Sequence, residues 1–365
     1  MSQIFLDKNS FGEQLLQLLK PFRKQCIMLV AGKSYKKLLI RTTIERVIET
    51  LEIDIIRFSA FSPNPSYEEV FTGIDYFQRY QCRGILAVGG GSAIDTAKCI
   101  KVFSVHSFEA SEILFLAVPT TAGTGSESTQ FAVIYKNGEK CSVDDVDALP
   151  QYVLLDAENL LTLPIEIKRS AAADALSHAI ESFWSLKATD QSKELSKKAI
   201  SMLLDHMESY WLNDRKACEY MLRAANFAGQ AINITRTTAA HAMCYKFTSL
   251  FGIPHGHAVM LCLPEVWQYM QEHLNNCRDE RGAAHLSDTL SKLSHCLRKR
   301  DPAEAIDFLK ELRIQLVFSI PHDITDEQIE IMANSVNEQR LENFPVALSR
   351  EQIKEIYRQI IRGGK

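Results

Sequence analysis

The sequence predicts two domains, an α/β domain built on a parallel sheet and, after it, an all-helical domain. Short apolar runs alternate with stretches of helical spacing as far as Leu155, and several of the runs end in glycine-containing turns. This alternation is typical of a parallel sheet covered by helices. After Pro164 nearly every segment has helical spacing. The 365 residues suffice for two domains, which we place at residues 1–161 and 162–365.

Each element of the first domain is assigned from its apolar pattern. The predicted strands are Cys26–Val30, Ile53–Phe58, Ile85–Val88, Leu114–Val118 and Tyr152–Leu155. The predicted helices are Phe11–Leu19, Leu38–Leu51, Tyr67–Tyr80 and Ala93–Phe103. A hairpin-like pattern runs from Phe131 to Leu155, with a turn near Asn137-Gly138. In the second domain, prolines are expected to punctuate the helices at Pro254, Pro264, Pro302, Pro321 and Pro345.

Composition excludes several classes of protein. A formal net charge of -4 argues against a general nucleic-acid or anionic-membrane partner. No window contains about eighteen consecutive apolar residues, and the N-terminal segment lacks the basic-then-apolar layout of a secretory signal. The 9 cysteines are scattered without CxxC pairs, which favours reduced thiols. The sequence therefore predicts a soluble, cytoplasmic protein.

One carboxylate and three imidazoles form a candidate metal site in the second domain. Asp174 and His178 stand four residues apart in a helical run, so their side chains lie on one face, one turn apart. His241 lies in another helical run, and His255 stands in the sequence Pro-His-Gly-His. Alone, each segment fits an ordinary helix or turn. Together, the four side chains suit Fe(II) or Zn(II), and we predict that they hold one divalent metal.

Two turns that follow predicted strands suggest a nucleotide site. Gly89-Gly90-Gly91-Ser92 follows one strand, and a turn rich in glycine and threonine, residues 119–127, follows the next. Glycines let the backbone approach a ligand, and the N–H groups of a helix N-terminus suit a pyrophosphate. Asp95 could cap this helix or reach the ligand. Either turn alone fits a tight turn without a ligand. Because ligands of open α/β sheets bind beyond the carboxyl ends of strands, the two turns together predict a dinucleotide.

Four motifs, in one order along nearly the whole chain, resemble those of the iron-containing alcohol dehydrogenases. They are Gly89–Lys98, Pro119–Glu127, Asp174–Ser182 and His241–Ala258. The resemblance implies a Rossmann-like nucleotide-binding domain, a helical metal domain of the dehydroquinate synthase type, and a homodimer. It also implies an NAD(P)-linked alcohol dehydrogenase or aldehyde reductase activity. The family's metal positions fall on the four residues chosen above from ligand chemistry.

The resemblance further implies which residues bind the nucleotide. Asn64 and Pro65 match a turn near the nicotinamide ribose. The residues that match a pyrophosphate loop are Gly90, Gly91, Ser92 and Asp95, and those in a second nucleotide loop are Thr120, Thr121, Thr124 and Ser128.

The residue at the end of the first predicted strand bears on the choice of nucleotide. Members of the family that prefer NAD usually carry aspartate there, where it accepts a hydrogen bond from the ribose 2′-hydroxyl. This chain has Gly32, followed by Lys33, Ser34 and two further lysines. Without the carboxylate, a 2′-phosphate should be tolerated or favoured, although the lysines could equally form a solvated helix face. We predict NADPH, with NADH also usable.

The proton donor of the implied reaction is open. Many members of the family have a second histidine four residues after the third metal ligand, where this chain has Tyr245. His257, just after His255, is an additional histidine. Tyr245, His257 or a chain of waters could serve, and His257 could equally be an ordinary solvent-facing residue.

The segment Thr235–Val259 is most similar to phosphonoacetaldehyde reductases, which form 2-hydroxyethylphosphonate. Arg236 and Lys246 flank His241, and an arginine can bind a phosphonate through a bidentate fork. Further donors could come from Asn233, Thr237 and Thr238. Both cations could equally form a salt bridge or a solvated surface. The alternatives are a general short-chain alcohol dehydrogenase, a lyase of the dehydroquinate synthase type and a non-catalytic binding module.

Overall fold

The structure, a computed structural model, describes residues 3–107, 113–136, 139–316, 324–336 and 338–362. Contacts divide the chain into two compact units. The first contains Met1–Leu163 and Asn213–Asn226, and the second contains Pro164–Leu212 and Phe227–Lys365. An α/β unit and a mostly helical unit confirm the predicted fold class. No sequence pattern indicated that Asn213–Asn226 groups with the first unit.

A six-stranded parallel sheet organises the first unit. The strands of the chain are β1 (Ile4–Leu6), β2 (Cys26–Ala31), β3 (Asp54–Phe58), β4 (Gly84–Gly89), β5 (Leu114–Pro119), β6 (Phe131–Lys136), β7 (Glu139–Asp144) and β8 (Tyr152–Leu154). The order in the sheet is β1-β8-β5-β4-β2-β3. All five predicted strands are present. The additional strand, β1, is too short for an apolar period to be visible, and it pairs with β8 at the edge of the sheet.

Helices cover both faces of this sheet, which explains why its strands are continuous apolar runs. The helices are α1 (Phe11–Leu19), α2 (Ile40–Thr50), α3 (Tyr67–Arg79) and α4 (Gly91–Ser107). Along β2, Ile27 and Leu29 join a core with α1 and α2. The alternate residues Met28 and Val30 join a core with α3 and α4 on the other face. Because the strands are parallel, their carboxyl ends, and the turns that follow them, lie at one edge of the sheet.

The hairpin predicted after residue 131 is present as the antiparallel pair β6 and β7, with Phe131 opposite Asp144. The predicted turn at Asn137-Gly138 lies outside the described residues. Ala132 and Ile134 of β6 join the core formed by α3 and α4. The hairpin therefore packs on one face of the first unit.

The second unit is helical, and α7 leads into it from the first. The helices are α5 (Ile165–Trp184), α6 (Asp190–Trp211), α7 (Arg215–Thr235), α8 (Ala239–Met243), α9 (Tyr245–Phe251), α10 (His255–Glu272), α11 (Ala283–Cys296), α12 (Pro302–Leu316), α13 (Asp326–Asn334), α14 (Glu338–Leu341) and α15 (Arg350–Arg362). Within the described ranges, no helix combines the length and apolar character that crossing a bilayer requires.

The prolines of this unit follow the expectation with one exception. Pro254 directly precedes α10, Pro302 begins α12, and Pro345 lies between α14 and α15, while Pro321 lies outside the described residues. Pro264 stands inside α10 and does not end it, so that prediction was wrong. Proline removes one helical N–H, but α10 is buried among α5, α12 and α15, and this packing stabilises the helix through the defect.

Candidate metal and nucleotide sites

The candidate metal ligands come from three helices of the second unit. Asp174 and His178 lie one turn apart in α5, His241 lies in the short helix α8, and His255 is the first residue of α10. The first three side chains are buried, whereas 38% of the His255 side chain is exposed. His255 therefore marks the accessible side of this group, which we call the metal cluster.

Three residues of the metal cluster offer ligand atoms at the spacing that one ion requires. Asp174 Oδ1 lies 3.4 Å from His241 Nε2 and 3.7 Å from His255 Nε2. The ligand atoms of these three residues all lie within 4.8 Å of one another. Two ligands that are each about 2.1 Å from a tetrahedral ion lie about 3.4 Å apart. Because carboxylate oxygen and imidazole nitrogen also suit Fe(II) and Zn(II), the residues fit a divalent metal.

The fourth predicted ligand, His178, contacts two members of the cluster. Its Nε2 lies 3.7 Å from Asp174 Oδ1. Its ring stacks on that of His241, with a distance of 4.5 Å between the ring centroids. The fold thus brings all four predicted residues together, from positions up to 81 residues apart in the sequence, 174 to 255.

Glu181 is a residue of the site that the sequence analysis missed. One oxygen of its buried carboxylate bonds to His241 Nδ1. The other accepts hydrogen bonds from the Thr238 hydroxyl at 2.6 Å and from the Ala240 backbone N–H at 2.9 Å. A ligating histidine commonly donates its second N–H to a carboxylate, which fixes its tautomer and orientation. Glu181 therefore holds His241 with Nε2 towards Asp174.

The cluster keeps its carboxylates ionised although they are buried. Burial raises the pKa of Asp174, but His178, His241 and His255 together lower it below its usual range. Burial likewise raises the pKa of Glu181, but the charge and hydrogen bond of His241 lower it by more, so that it lies below its usual value. Burial lowers the pKa of His241, but Glu181 and Asp174 raise it above the usual value. The site therefore holds two buried, ionised carboxylates against its imidazoles.

A glycine allows two of the contributing helices to approach closely. A Cβ atom on Gly256 would lie 1.9 Å from the Ser170 carbonyl oxygen and 3.0 Å from Asp174 Cβ. No larger residue fits without moving the backbone of α5 or α10. Because Gly256 directly follows His255, this close approach brings His255 to Asp174.

In the first unit, the two glycine turns lie against each other. They follow β4 and β5, which are hydrogen-bonded neighbours in the sheet. A Cβ on Gly90 would lie 3.2 Å from Thr121 Oγ1, and one on Gly91 would lie 2.8 Å from Thr124 Cγ2. Glycine at both positions therefore allows the threonine side chains of the second turn to contact the backbone of the first.

Hydrogen bonds connect other predicted nucleotide residues to these turns. The Ser92 hydroxyl donates to the Pro63 carbonyl, directly before the predicted Asn64-Pro65 turn. Asp95 accepts a hydrogen bond from the Ser126 hydroxyl, so it joins α4 to the second turn. The three predicted segments thus meet at the carboxyl edge of the sheet.

Two predicted residues of the second turn are buried. Thr120 is 5% exposed and Ser128 is 2% exposed. Asn226 Nδ2 donates to Ser128 Oγ at 2.5 Å and to Glu127 Oε1 at 3.0 Å. Burial raises the pKa of Glu127. Ser128 therefore belongs to a buried hydrogen-bond network that holds this turn.

The predicted nucleotide-selecting residues follow β2, and an arginine accompanies them. Lys33 and Ser34 are exposed. Arg57 of β3, which was not predicted, donates a hydrogen bond to the Gly32 carbonyl at 2.8 Å. Its guanidinium carbon lies 5.4 Å from the centre of the Tyr35 ring. A second source of positive charge therefore lies beside Gly32.

Comparison with known proteins identifies both halves of the chain. Residues 2–157 match the sequence profile of iron-containing alcohol dehydrogenase, and residues 170–361 match that of the C-terminal part of the Fe-containing alcohol dehydrogenase family. The chain belongs to the iron-containing alcohol dehydrogenase family. It is an NAD(P)-dependent oxidoreductase of that family, so the predicted enzyme class and cofactors are confirmed at this level.

Relatives and solved structures agree with the assignment. The NADPH-dependent butanol dehydrogenase of Clostridium saccharobutylicum is 30% identical over 276 residues, which cover 71% of this chain and 71% of the relative. An iron-containing alcohol dehydrogenase structure from Thermotoga maritima has a TM-score of 0.85 at 25% identity, with 99% of this chain and 98% of that chain covered. Sulfoacetaldehyde reductase from Bifidobacterium kashiwanohense, solved with NAD+, shares the fold, with a TM-score of 0.81, 24% identity and coverage of 99% and 97%.

The two predicted proton donors of this iron-containing alcohol dehydrogenase lie in different surroundings. Tyr245 begins α9, and its ring is parallel to that of His255 with 6.1 Å between the centroids. His257 is 1% exposed in α10, so it is not the solvent-facing residue that was one of the alternatives. Burial and the positive charge of Arg169 lower the pKa of His257 to about 4. Tyr245 is thus the candidate that contacts the metal cluster.

The two predicted substrate cations both lie in the second unit. Arg236 has a left-handed backbone with φ of 63°, and its Nη1 donates to the Asn233 carbonyl at 2.6 Å, at the end of α7. Lys246 is half-buried in α9. Arg236 therefore caps a helix end, and an arginine carries enough donors to bind an anion as well.

A third cation, Arg340, was not predicted and contacts the Tyr245 ring. Its Nη1 donates to Thr237 Oγ1 at 2.6 Å. Its guanidinium carbon lies 5.3 Å from the centre of the Tyr245 ring, which in turn stacks with His255. The Tyr245 ring therefore lies between the Arg340 cation and His255, the accessible candidate ligand of the cluster.

Proposed function

We propose that this enzyme reduces phosphonoacetaldehyde to 2-hydroxyethylphosphonate with NADPH. The proposal rests on two contacts: the Arg340 guanidinium lies over the Tyr245 ring, and this ring is parallel to that of His255. An aldehyde bound beside His255 would have its phosphonate directed towards this cation. Arg236 directly precedes Thr237, which Arg340 contacts. Arginine binds such anions through parallel hydrogen bonds.

We assign Asp174, His178, His241 and His255 to the metal, Fe(II) or Zn(II). When bound, the metal supplies Lewis acidity that polarises a carbonyl group. The chain itself prepares the ligands, because Glu181 bonds to His241 Nδ1 and Gly256 lets α10 approach α5. These residues fix the positions of the ligand atoms before substrate arrives, which reduces the cost of orienting the carbonyl.

We assign the carboxyl edge of the sheet to the nucleotide, whose nicotinamide supplies hydride when bound. The N–H groups at the start of α4 suit the pyrophosphate, and Gly90 and Gly91 let the second turn pack directly against the turn that carries these groups. The residues assigned to the nucleotide are Gly32, Lys33, Ser34, Asn64, Pro65, Gly90, Gly91, Ser92, Asp95, Thr120, Thr121, Thr124 and Ser128.

The preference for NADPH rests on the charges beside Gly32. A 2′-phosphate there would meet Lys33 and Arg57, with no aspartate to repel it. A variant that restores the carboxylate, Gly32→Asp, is sterically permitted, because the nearest atom to a Cβ is Phe61 Cζ at 4.0 Å. We expect it to lower the ratio of kcat/KM for NADPH to that for NADH by at least about tenfold. Gly32→Ala is the matched control and should leave this ratio nearly unchanged.

We assign delivery of the final proton to the Tyr245 hydroxyl. Tyr245 contacts His255, whereas the alternative donor, His257, is buried in α10. Tyr245→Phe keeps the ring stack and removes the hydroxyl. We expect kcat to fall by about 10²-fold or more while the Kd for NADPH stays the same. An unchanged kcat would assign the proton to water or to another side chain.

The substrate proposal is tested by steady-state rates with phosphonoacetaldehyde, sulfoacetaldehyde and simple aliphatic aldehydes. We expect a preference for the phosphonate that is lost in Arg340→Gln and reduced in Arg236→Asn, since asparagine tolerates the left-handed backbone. The exposed Arg362→Gln is the control. Equal rates with plain aldehydes, unaffected by the arginine variants, would leave a general short-chain alcohol dehydrogenase.

The homodimer and the cytoplasmic location remain predictions, and light scattering tests the first.

A further inference from the structure

Two cysteine sulfur atoms lie in close non-bonded contact in the first unit, away from the residues assigned above. Cys26 Sγ and Cys82 Sγ are 3.2 Å apart, although 56 residues separate them in the chain. Cys26 begins β2, and Cys82 stands just before β4, which pairs with β2. The Arg83 N–H donates to the Cys26 carbonyl at 2.8 Å. The sheet itself therefore holds the two thiols beside each other.

We propose that Cys26 and Cys82 form a redox-active dithiol that closes to a disulfide by exchange with a small-molecule disulfide such as oxidised glutathione. A disulfide has an S–S length of about 2.05 Å, so the sulfur atoms must approach by only about 1.2 Å from their separation of 3.2 Å. Cys82 is adjacent to Arg83, whose N–H bonds to the Cys26 carbonyl at 2.8 Å, so the backbone already holds the two residues next to each other. No rearrangement of the sheet is required.

The different burial of the two cysteines assigns the order of the reaction. Cys26 is half-buried, whereas Cys82 is 5% exposed. Cys26 as thiolate attacks the incoming disulfide, forms a mixed disulfide and releases one glutathione thiol. Cys82 as thiolate then attacks the Cys26 sulfur and releases the second. Two protein thiols are oxidised and one glutathione disulfide is reduced to two thiols, so electrons and protons balance.

A cavity gives the incoming disulfide access to Cys26. The cavity has a volume of about 630 Å³ and is lined by both cysteines, Lys24, Asp54, Tyr80 and Arg83, among others. Lys24 and Arg83 provide positive charge for the carboxylates of glutathione, while Lys24 also pairs with Glu52 at 3.4 Å. Asp54 in the same lining can pair with an ammonium group of the peptide, so both kinds of charge on oxidised glutathione find an opposite charge in this cavity.

The position of the pair determines what its oxidation changes. Cys26 and Cys82 lie at the amino ends of β2 and β4, whereas the glycine turns follow the carboxyl ends of the strands. Closing the bond would therefore tie the sheet together far from the nucleotide turns. We expect nucleotide affinity to stay the same and the midpoint of thermal unfolding to rise by several degrees, because the unfolded chain loses loop entropy.

The test is thiol counting and peptide mapping of the holoenzyme after incubation with oxidised glutathione. The incubation is run at about pH 8.5, because burial raises the pKa of both thiols and exchange needs thiolate. We expect free thiols to fall from 9 to 7 per chain and the tryptic peptides Gln25–Lys33 and Tyr80–Arg83 to become joined. Dithiothreitol should reverse both changes.

Two variants separate this pair from the other cysteines. Cys26→Ser should abolish the joined peptides, and Cys296→Ser, which removes a half-buried thiol of the second unit, should leave them unchanged. If wild-type protein retains a stable glutathione adduct on Cys26 with Cys82 still free, or forms no joined peptide, the proposal is overturned. Both results are read from wild-type protein, so they do not depend on the folding of any variant.

Discussion

At the scale of single residues, His241 of the metal cluster is held by a carboxylate that is not one of the four candidate ligands. Glu181 bonds to His241 Nδ1 and accepts hydrogen bonds from the Thr238 hydroxyl and the Ala240 N–H. A carboxylate can accept hydrogen bonds from both sides, but an amide cannot. A glutamine at this position must turn its NH₂ group either towards His241 or towards the Thr238 and Ala240 donors. Either orientation leaves a buried polar group without its proper partner.

We therefore expect Glu181→Gln to weaken binding of the divalent metal by about 10- to 100-fold. Chelator competition and metal analysis of the purified protein measure this affinity. Glu166→Gln, an exposed substitution at the start of the same helix, is the matched control. Unchanged metal affinity in Glu181→Gln would show that His241 is oriented without this carboxylate.

Gly256 provides a prediction about stability at the same scale. In Gly256→Ala the new Cβ would lie 1.9 Å from the Ser170 carbonyl oxygen, so one helix must shift. We expect the free energy of unfolding to fall by about 1–3 kcal/mol or more, as measured by urea denaturation of the metal-free protein. Gly32→Ala, which meets nothing closer than 4.0 Å, should stay close to wild type. A wild-type stability for Gly256→Ala would mean that α5 and α10 do not pack this closely.

The residue scale also shows how far the sequence could predict the site. Asp174 and His178 were predicted because their spacing puts them on one helix face, and the histidines because of their ligand chemistry. Glu181 follows Asp174 by seven residues and therefore lies on the same face, a signal that was present but not used. Arg340 had no such signal, because its contact with Tyr245 joins positions 95 residues apart, 245 to 340.

At the scale of secondary-structure elements, the two glycine turns act as one surface. The strands before them were predicted from their apolar runs, since both faces of the sheet are buried. That the two turns converge was expected from the sequence, but the contacts of Gly90 with Thr121 and of Gly91 with Thr124 were not, because they depend on the register of β4 with β5. Because Gly91 and Thr124 approach closely, substitutions at these two positions, made singly and together, test whether the turns contact each other.

We expect Gly91→Ala to weaken NADPH binding by about tenfold or more, because its Cβ would lie 2.8 Å from Thr124 Cγ2 and displace the second turn. Thr124→Ser removes that methyl group, so the double variant should recover part of the lost affinity. Fluorescence titration of the reduced nucleotide measures the Kd values of wild type, both single variants and the double variant. Strictly additive losses would show that the turns do not contact each other.

Elements whose formation depends on packing were predicted less well. Pro264 was expected to interrupt a helix, but α10 continues through it while buried among neighbouring helices of the second unit. β1 has three residues, pairs with β8 and packs Leu6 against the core of the first unit. Local sequence describes propensity, and in both cases tertiary contacts outweigh it.

At the scale of the whole molecule, the metal cluster gathers candidate ligands from α5, α8 and α10, so we expect metal binding to be linked to folding. A ligand at about 1,000 times its Kd stabilises a folded protein by about 4 kcal/mol. We expect addition of Fe(II) or Zn(II) to metal-free protein to raise its midpoint of thermal unfolding, and Asp174→Asn to remove most of that increase. An equal increase in Asp174→Asn would place the stabilising ion elsewhere.

The most direct test of the account is the absorbance of NADPH during reaction of metal-loaded protein with phosphonoacetaldehyde. Chelator-treated protein and the His255→Ala variant are measured in parallel, with NADPH binding determined for each. We predict that NADPH is oxidised only when metal and aldehyde are both present, and that His255→Ala binds NADPH normally but oxidises it at least about 10²-fold more slowly. Equal oxidation by wild-type, chelated and His255→Ala protein would contradict the assignment of the metal cluster as the catalytic centre.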